Sequence, residues 1–325
     1  MKLLSISTRG VGVLPDREWS FTDESGDVAA TTVVTGGPSV GKTTLLEAIL
    51  AAKELAGAYG ALPTHLDRLR RPDVDEAVLV ARWRFTRREV RAAELTTDVV
   101  ETTARLRPHM MPSELPVRVR QVFADTEPAQ TAGGVAWFHA TRAMAPGRAP
   151  MTREHSFLWL LDDNRRFDGL VPTAARAIQE ETAGTAERAT REGLLFPGMA
   201  RGRLDGLRAS LAPFLCRKTV AGARSRADTF ELTFVDRSGF VTTFEQLGAQ
   251  EKQGVLLAMA LLARPVHHGL ILIDAPELHV HPAEQAKFIS AVLALAPDAQ
   301  AILASSSPGI APPDARVVRL EGGGA

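Results

Sequence analysis

The residues Gly36-Gly37-Pro38-Ser39-Val40-Gly41-Lys42-Thr43 fit the pattern G-x-x-x-x-G-K-[ST], which binds phosphate for a physical reason. Glycines at 36 and 41 open backbone angles closed to other residues, so that successive N–H groups converge on one phosphate-sized concavity. Lys42 is expected to reach the β- and γ-phosphates of a nucleotide, Thr43 to place its hydroxyl on Mg²⁺, and Thr44 to help hold the α-phosphate. The helix starting there points the positive end of its dipole at the same anion. A second chemical feature lies far along the chain, where Leu270-Ile271-Leu272-Ile273 runs into Asp274. Four apolar residues ending in a carboxylate mark a buried parallel strand that delivers an acid to the Mg²⁺ site, a Walker B strand.

The elements that must position these groups can be read around them. Thr31-Thr32-Val33-Val34-Thr35 reads as the strand entering the loop, and Thr43 to Leu55 as the apolar helix leaving it. Residues 2–7 and 17–21 read as short strands, and Ala77 to Phe85 alternates like another. Val117-Arg118-Val119-Arg120-Gln121-Val122-Phe123 also alternates and predicts a strand. Its arginines then form the solvated outer face of a half-buried sheet, with a nucleic-acid-facing stripe as the alternative. Gly134 to Ala140 predicts a further strand, ending at Thr141-Arg142.

From Pro146 to about Arg226 the period becomes helical, in stretches such as Thr173–Glu192 and Gly202–Leu215. Phe230, Leu232 and Phe234 share one face of a strand, Asp236-Arg237-Ser238-Gly239 turns, and Phe240 to Phe244 returns as a hairpin. Leu247 to Ala263 predicts an apolar helix stopped by Pro265. Pro282–Leu295 predicts another, and Ala301–Ala304 and Val317–Leu320 predict the last strands. Strand-helix-strand units of this kind argue a mostly parallel sheet with helices packed on it.

With 325 residues, 45% of them hydrophobic, the chain can bury a large core. Lys+Arg and Asp+Glu both number 38, so no net field draws it to nucleic acid or membrane, and DNA as a partner gains no support from charge. The single Cys216 excludes an internal disulfide and reads as a small buried or inert thiol. The N-terminal apolar run is too short for a signal peptide, and Gly254–Ala263 is too short to span a bilayer. A cytoplasmic protein with no membrane partner is expected.

Taken together, GGPSVGKTTLLEAIL, FEQLGAQEKQGVLLAMALL, ILIDAPELHVHPAEQ and AILASSSP resemble, in order and spacing, the ABC-type ATPase heads of the SMC, RecF and OLD (overcoming lysogenisation defect) kind. The likeness covers residues 1–60 and 228–320. It implies an α/β fold, a P-loop NTPase of ABC-ATPase type: a mostly parallel core sheet, an antiparallel β portion and a helical lobe. One head then spans 1–325, with 1–145 plus 227–325 as the nucleotide-binding lobe and 146–226 as the helical lobe. ATP and Mg²⁺ are the implied cofactors. Such heads pair face to face, with ATP held between the phosphate loop of one and the signature segment of the other. A homo- or heterodimer is therefore the implied assembly. The nuclease domain that OLD proteins carry at the C-terminus is not expected after residue 320, so any effector should be a separate chain.

Three positions depart from the resemblance. The glutamate that normally follows the Walker B aspartate is Ala275, the serine of the signature segment is Gly248, and the histidine of the switch segment is Ser306. All three concern the γ-phosphate, while Lys42, Thr43 and Asp274 are kept. Glu277 is the available replacement base, although relatives that keep the usual glutamate carry it too, which favours a structural role. His279 and His281 belong to an H-x-H-P turn that these relatives share without using it to bind metal. The resemblance thus implies a head that binds ATP, hydrolyses it weakly, and serves as a nucleotide-dependent scaffold or sensor in phage defence or DNA repair. The competing expectations are an active DNA-associated motor and a transporter's energy-coupling subunit.

Overall fold

The computed structural model describes residues 1–58, 66–107, 115–124, 134–140, 170–182, 203–226, 229–263 and 265–321. The predicted residues 141–142 and 183–192 lie outside them. An all-parallel sheet of five strands forms the centre: β3 (Thr31–Gly36), β6 (Val135–Phe138), β10 (Leu270–Asp274), β11 (Gln300–Ser305) and β12 (Arg316–Leu320). Its order is β12-β3-β11-β10-β6. Every residue of β6, β10 and β11 is buried, as the unbroken apolar runs require of strands covered on both faces.

Beside it stands an antiparallel sheet, ordered β2-β1-β4-β5, of β1 (Lys2–Arg9), β2 (Arg17–Ser20), β4 (Ala77–Arg84) and β5 (Val99–Leu106). Strand β5 alternates strictly between buried and exposed positions. Helix α1 (Lys42–Ala56) packs against strands of both sheets and is buried almost all round, including Leu45, Leu46, Ile49, Leu50 and Leu55. Each such side chain contributes about 1.5–3 kcal/mol of transfer free energy, which anchors the loop preceding the helix. Gln300, fully buried at the start of β11, donates to Leu3 O (2.9 Å) and accepts from Leu3 N (2.7 Å), fastening the two sheets together.

The segment 117–123 corrects its predicted strand. It forms helix α3 (Val117–Ala124), because its buried residues Val119, Val122 and Phe123 fall at i, i+3 and i+4 while Val117 is exposed. Phe123 makes edge contacts with Trp83 and Phe85 at 5.5 and 5.4 Å between centroids. Arg120 N donates to Pro116 O, and Gly57, just past α1, leaves no room for a side chain against Arg120 O. Between β4 and β5 a short helix α2 (Arg87–Ala92) is started by a capping box of Thr86 and Glu89.

A second correction falls at residues 218–226. Helices α4 (Leu170–Thr182) and α5 (Arg203–Leu211) bear out the helical period, but Lys218–Arg226 is strand β7. It pairs with β8 (Thr229–Asp236), which pairs with β9 (Val241–Thr243), making a three-stranded sheet under α4. Ala, Gly and Arg dominate β7, so its conformation comes from pairing with β8 and not from its own propensity. The predicted hairpin turn is present: Asp236 accepts from Ser238 Oγ, Ser238 N and Phe240 N, with Gly239 at φ 84. The Ser238 hydroxyl, ahead of the backbone donors, holds the Asp236 carboxyl below the usual carboxylate range. Cys216 is exposed, contrary to a buried thiol.

Helix α6 (Ala249–Ala263) follows, packed on α4, α5 and α7 (Gln285–Leu293). Any side chain at Gly254 would strike the Phe214 ring at about 2.6 Å, and Phe214 in turn meets Phe288 edge-on at 5.4 Å. Among the described residues no helix is long and apolar enough to cross a membrane.

Candidate nucleotide-binding site

Strand β3 ends at Gly36, and its neighbour β12 fixes why that residue is glycine. The two pair as far as Leu320 and Gly36, and a Cβ on Gly36 would lie 2.5 Å from Leu320 O. Ser39 takes φ 59, and Gly41, at φ 95, caps α1. A Cβ at Gly41 would also press on Leu14 and Val13 at 2.8 and 2.9 Å, so the turn after β1 lies against the loop. Gly37, Pro38 and Ser39 are exposed at the loop's crest, and Val40 packs partly into the core.

The first turn of α1 carries no acidic residue, and no side chain caps it. Its leading N–H groups, including those of Lys42, Thr43 and Thr44, have no partner within the helix, which fits an anion as their partner. Lys42 Nζ folds back over the loop and donates to Gly36 O (2.9 Å) and Gly37 O (2.6 Å). A phosphate entering the loop would compete for that ammonium with two neutral carbonyls, a contest that favours the charged acceptor.

Thr43 and Asp274, 231 residues apart, are brought into direct contact: Thr43 Oγ1 donates to Asp274 Oδ2 at 2.9 Å. Two oxygens bound about 2.1 Å from one octahedral cation lie about 3 Å apart, so the pair fits a Mg²⁺ site. Asp274 is only 5% exposed, consistent with a carboxylate held for one task.

The γ-phosphate end differs. After Asp274 the chain turns sharply, with Ala275 at φ 45 and Ala275 N donating to Ala304 O. Position 275 supplies a methyl group and no proton acceptor. Glu277 is half-buried, and its Oε1 accepts from Ser306 N at 2.9 Å. The Glu277 carboxylate therefore ties the turn after β10 to the segment after β11, while its Oε2 is buried with no hydrogen-bond partner among the described residues. Ser307 Oγ bonds Gln285 Oε1, and Gln285 Nε2 donates to Val280 O, a second tie across the same gap. Of the two histidines nearby, His279 is exposed at φ 64, and His281 Nδ1 accepts from Ala283 N, capping the turn at Pro282–Glu284.

The segment 247–253 sits at the start of α6. Gly248 and Ala249 are exposed, and Gly248 N donates to Glu251 Oε2, which also accepts from Lys218 Nζ at 2.7 Å. Gln250 Oε1 accepts from His281 N, linking this segment to the turn after Asp274. The structure thus gathers the loop, Asp274, Glu277 and Ser306 at one edge of the parallel sheet. Sequence reasoning missed Lys218 and its contact with Glu251, because β7 was read as helix.

No family model and no curated protein matches the chain. Solved structures do. An Smc head bound to the C-terminal winged-helix domain of ScpA matches with a TM-score of 0.60 and 13% identity, over 95% of this chain and 91% of that one. An Smc head domain with an extended coiled coil, bound to the C-terminal domain of ScpA derived from Pyrococcus furiosus, matches with a TM-score of 0.56 and 11% identity, over 95% and 90%. The fold of this chain is therefore that of an SMC-type ATPase head, an α/β P-loop fold with parallel and antiparallel sheets.

Proposed function

Starting from that fold, we propose that the protein is an ATP-binding head that turns ATP over slowly and uses bound nucleotide to pair with another head, as a scaffold or sensor for a separate effector chain. One observation carries the reading: Thr43 and Asp274 meet at bonding distance beside the loop over which Lys42 folds, while positions 275 and 306 at the same sheet edge, and 248 in the segment offered to a second head, supply none of the usual side chains for the γ-phosphate.

In this reading the loop from Gly36 to Thr44 binds the phosphates through main chain, Lys42 leaves the two carbonyls for the β- and γ-phosphates, and Thr43 and Asp274 hold Mg²⁺. Bound Mg²⁺ would neutralise charge on the phosphates. Glu277 positions the switch segment through Ser306 N and is not the base. Its carboxylate is already engaged, and removing it would release Ser306 from the turn after β10.

The exposure of Gly248 and Ala249 supports pairing, since a segment that meets a second head must stand at the surface. The solved Smc heads hold a ScpA chain, which supports a partner chain of some kind here. Phage defence or DNA repair is the setting suggested by the sequence resemblance. Solution mass measured with and without Mg²⁺-ATP, for the protein alone and with products of neighbouring genes, tests the pairing. A nucleotide-dependent rise is expected, and identical masses throughout would refute the scaffold.

A second reading rests on Glu277 Oε2, buried and without a hydrogen-bond partner among the described residues, which could take a proton from water. Loss of turnover in Glu277→Gln, with binding unchanged, would select it.

A further inference from the structure

Helix α2 (Arg87–Ala92) carries arginines at 87, 88 and 91. At 3.6 residues per turn, positions i, i+1 and i+4 fall within an arc of about 100°, so the three share one side of the helix. The opposite side is closed: Glu89 and Ala93 are buried, and Val90 packs partly into the core. Arg87, Arg88 and Arg91 are exposed, and among the described residues none of their guanidinium groups is in an ion pair or hydrogen bond. Arginines nearby are neutralised, Arg84 by Asp27, Arg105 by Glu76 and Arg118 by Glu94.

This arrangement opposes local preference twice. Arg87 and Arg88 stand at the first two positions of the helix, where its dipole disfavours cations, and like charges at i, i+3 and i, i+4 repel. The capping box of Thr86 and Glu89 and the burial of the far side hold the helix against both costs, so the three cations are presented on a fixed support. A local conflict kept in place by the rest of the fold is the pattern expected of a functional surface.

The surroundings select the partner. Asp98 lies beside the start of α2, its carbonyl accepting from Phe85 N, and Glu94 follows the end; both side chains are exposed. A nucleic-acid backbone running over the helix would meet these carboxylates at both ends, and a chain of formal net charge +0 has no field to draw it in. A short run of carboxylates fits between them. Glutamates at i, i+3 and i, i+4 of a partner helix lie about 5–6 Å apart, the spacing of these arginines, and each guanidinium can take a carboxylate through two hydrogen bonds. The face is also remote from the phosphate loop. Along β1, Lys2 pairs with Arg84 just before α2, while Arg9 precedes the turn that lies against Gly41, roughly 24 Å away at strand rise.

We propose that the arginine face of α2 docks an acidic helical segment of a partner protein. The inference goes beyond the nucleotide reading and does not rest on it.

Fluorescence anisotropy tests it in about 50 mM salt, with a labelled peptide of roughly 16 residues carrying glutamates at i, i+3 and i, i+4, and with a labelled DNA duplex of roughly 16 base pairs. The wild type should bind the peptide more tightly than the duplex. Arg87→Gln/Arg88→Gln/Arg91→Gln, which keeps good helix formers and is checked by thermal melting, should bind the peptide at least about tenfold more weakly. Arg217→Gln/Arg237→Gln/Lys287→Gln, which removes as many exposed charges elsewhere, should change it by less than about twofold. Equal losses in the two triple variants, no loss in either, or a wild type that binds no peptide at about 1 mM overturns the docking face. Duplex bound more tightly than peptide, and released by the α2 variant, assigns the face to nucleic acid and overturns the protein partner. Should the α2 triple variant melt early, Arg91→Gln alone decides, a loss of about threefold supporting the face and no loss refuting it. Lys42→Ala should bind the peptide as the wild type does, so failure of the nucleotide reading would leave this inference standing.

Discussion

The two ends of the proposed phosphate site are built from the same sheet edge and have fared differently. At the loop end, close packing dictates residue types: Gly36 abuts Leu320 O, Gly41 abuts Leu14, and Thr43 meets Asp274 at 2.9 Å. At the other end, Ala275 and Ser306 bring no side chain suited to activating water, and Glu277 is engaged in holding Ser306 N. The contrast separates two tasks that a nucleotide site usually performs together. Binding needs main-chain donors, one ammonium and a cation site, whereas turnover needs in addition a base and contacts realised in the transition state.

The largest expected effect that would break this contrast lies at Lys42. Lys42→Ala should weaken Mg²⁺-ATP binding by about 100-fold or more, since charge-assisted contacts to two phosphates are lost, without lowering the melting temperature by more than a few degrees. Calorimetry and a thermal melt check both halves. A variant with unchanged affinity would remove the loop from the account.

Asp274→Asn should come next. It keeps the shape of the Thr43 contact but weakens the cation site, so the ratio of ATP affinity with and without Mg²⁺ should fall by about tenfold. Titrations in Mg²⁺ and in a chelator give that ratio, and an unchanged ratio would place the cation elsewhere.

A smaller effect is expected at Gly254, outside the site. Gly254→Ala must displace the Phe214 ring, so it should cost about 1–3 kcal/mol in denaturant unfolding while leaving ATP affinity within about twofold. Equal damage to binding would mean that α6 and the loop act as one unit.

The least effect is expected from restoring a single group. A positioned base contributes roughly 10²- to 10⁴-fold, but residues acting as a unit are non-additive, so Ala275→Glu alone should raise turnover by less than about tenfold. Full activation by that one change would show that only the base is missing.

The loop end was legible in the sequence because local chemistry dictates it: glycine spacing, a Lys-Thr pair and an apolar strand ending in Asp274 each require particular residue types. The parallel sheet followed from the same runs. What failed depended on packing and pairing outside the stretch itself. Val117–Phe123 alternates over its first residues yet buries Val119, Val122 and Phe123 on one helical face against Trp83 and Phe85. Lys218–Arg226 follows a helical stretch without a strong strand pattern of its own and becomes a strand because β8 offers it an edge.

Steady-state phosphate release by the wild type, at a Mg²⁺-ATP concentration shown by calorimetry to saturate it, tests the separation of binding from turnover most directly. The account predicts a saturated protein with turnover near background and no measurable difference in release between wild type and Lys42→Ala. Robust release by the wild type that disappears in Lys42→Ala would contradict it.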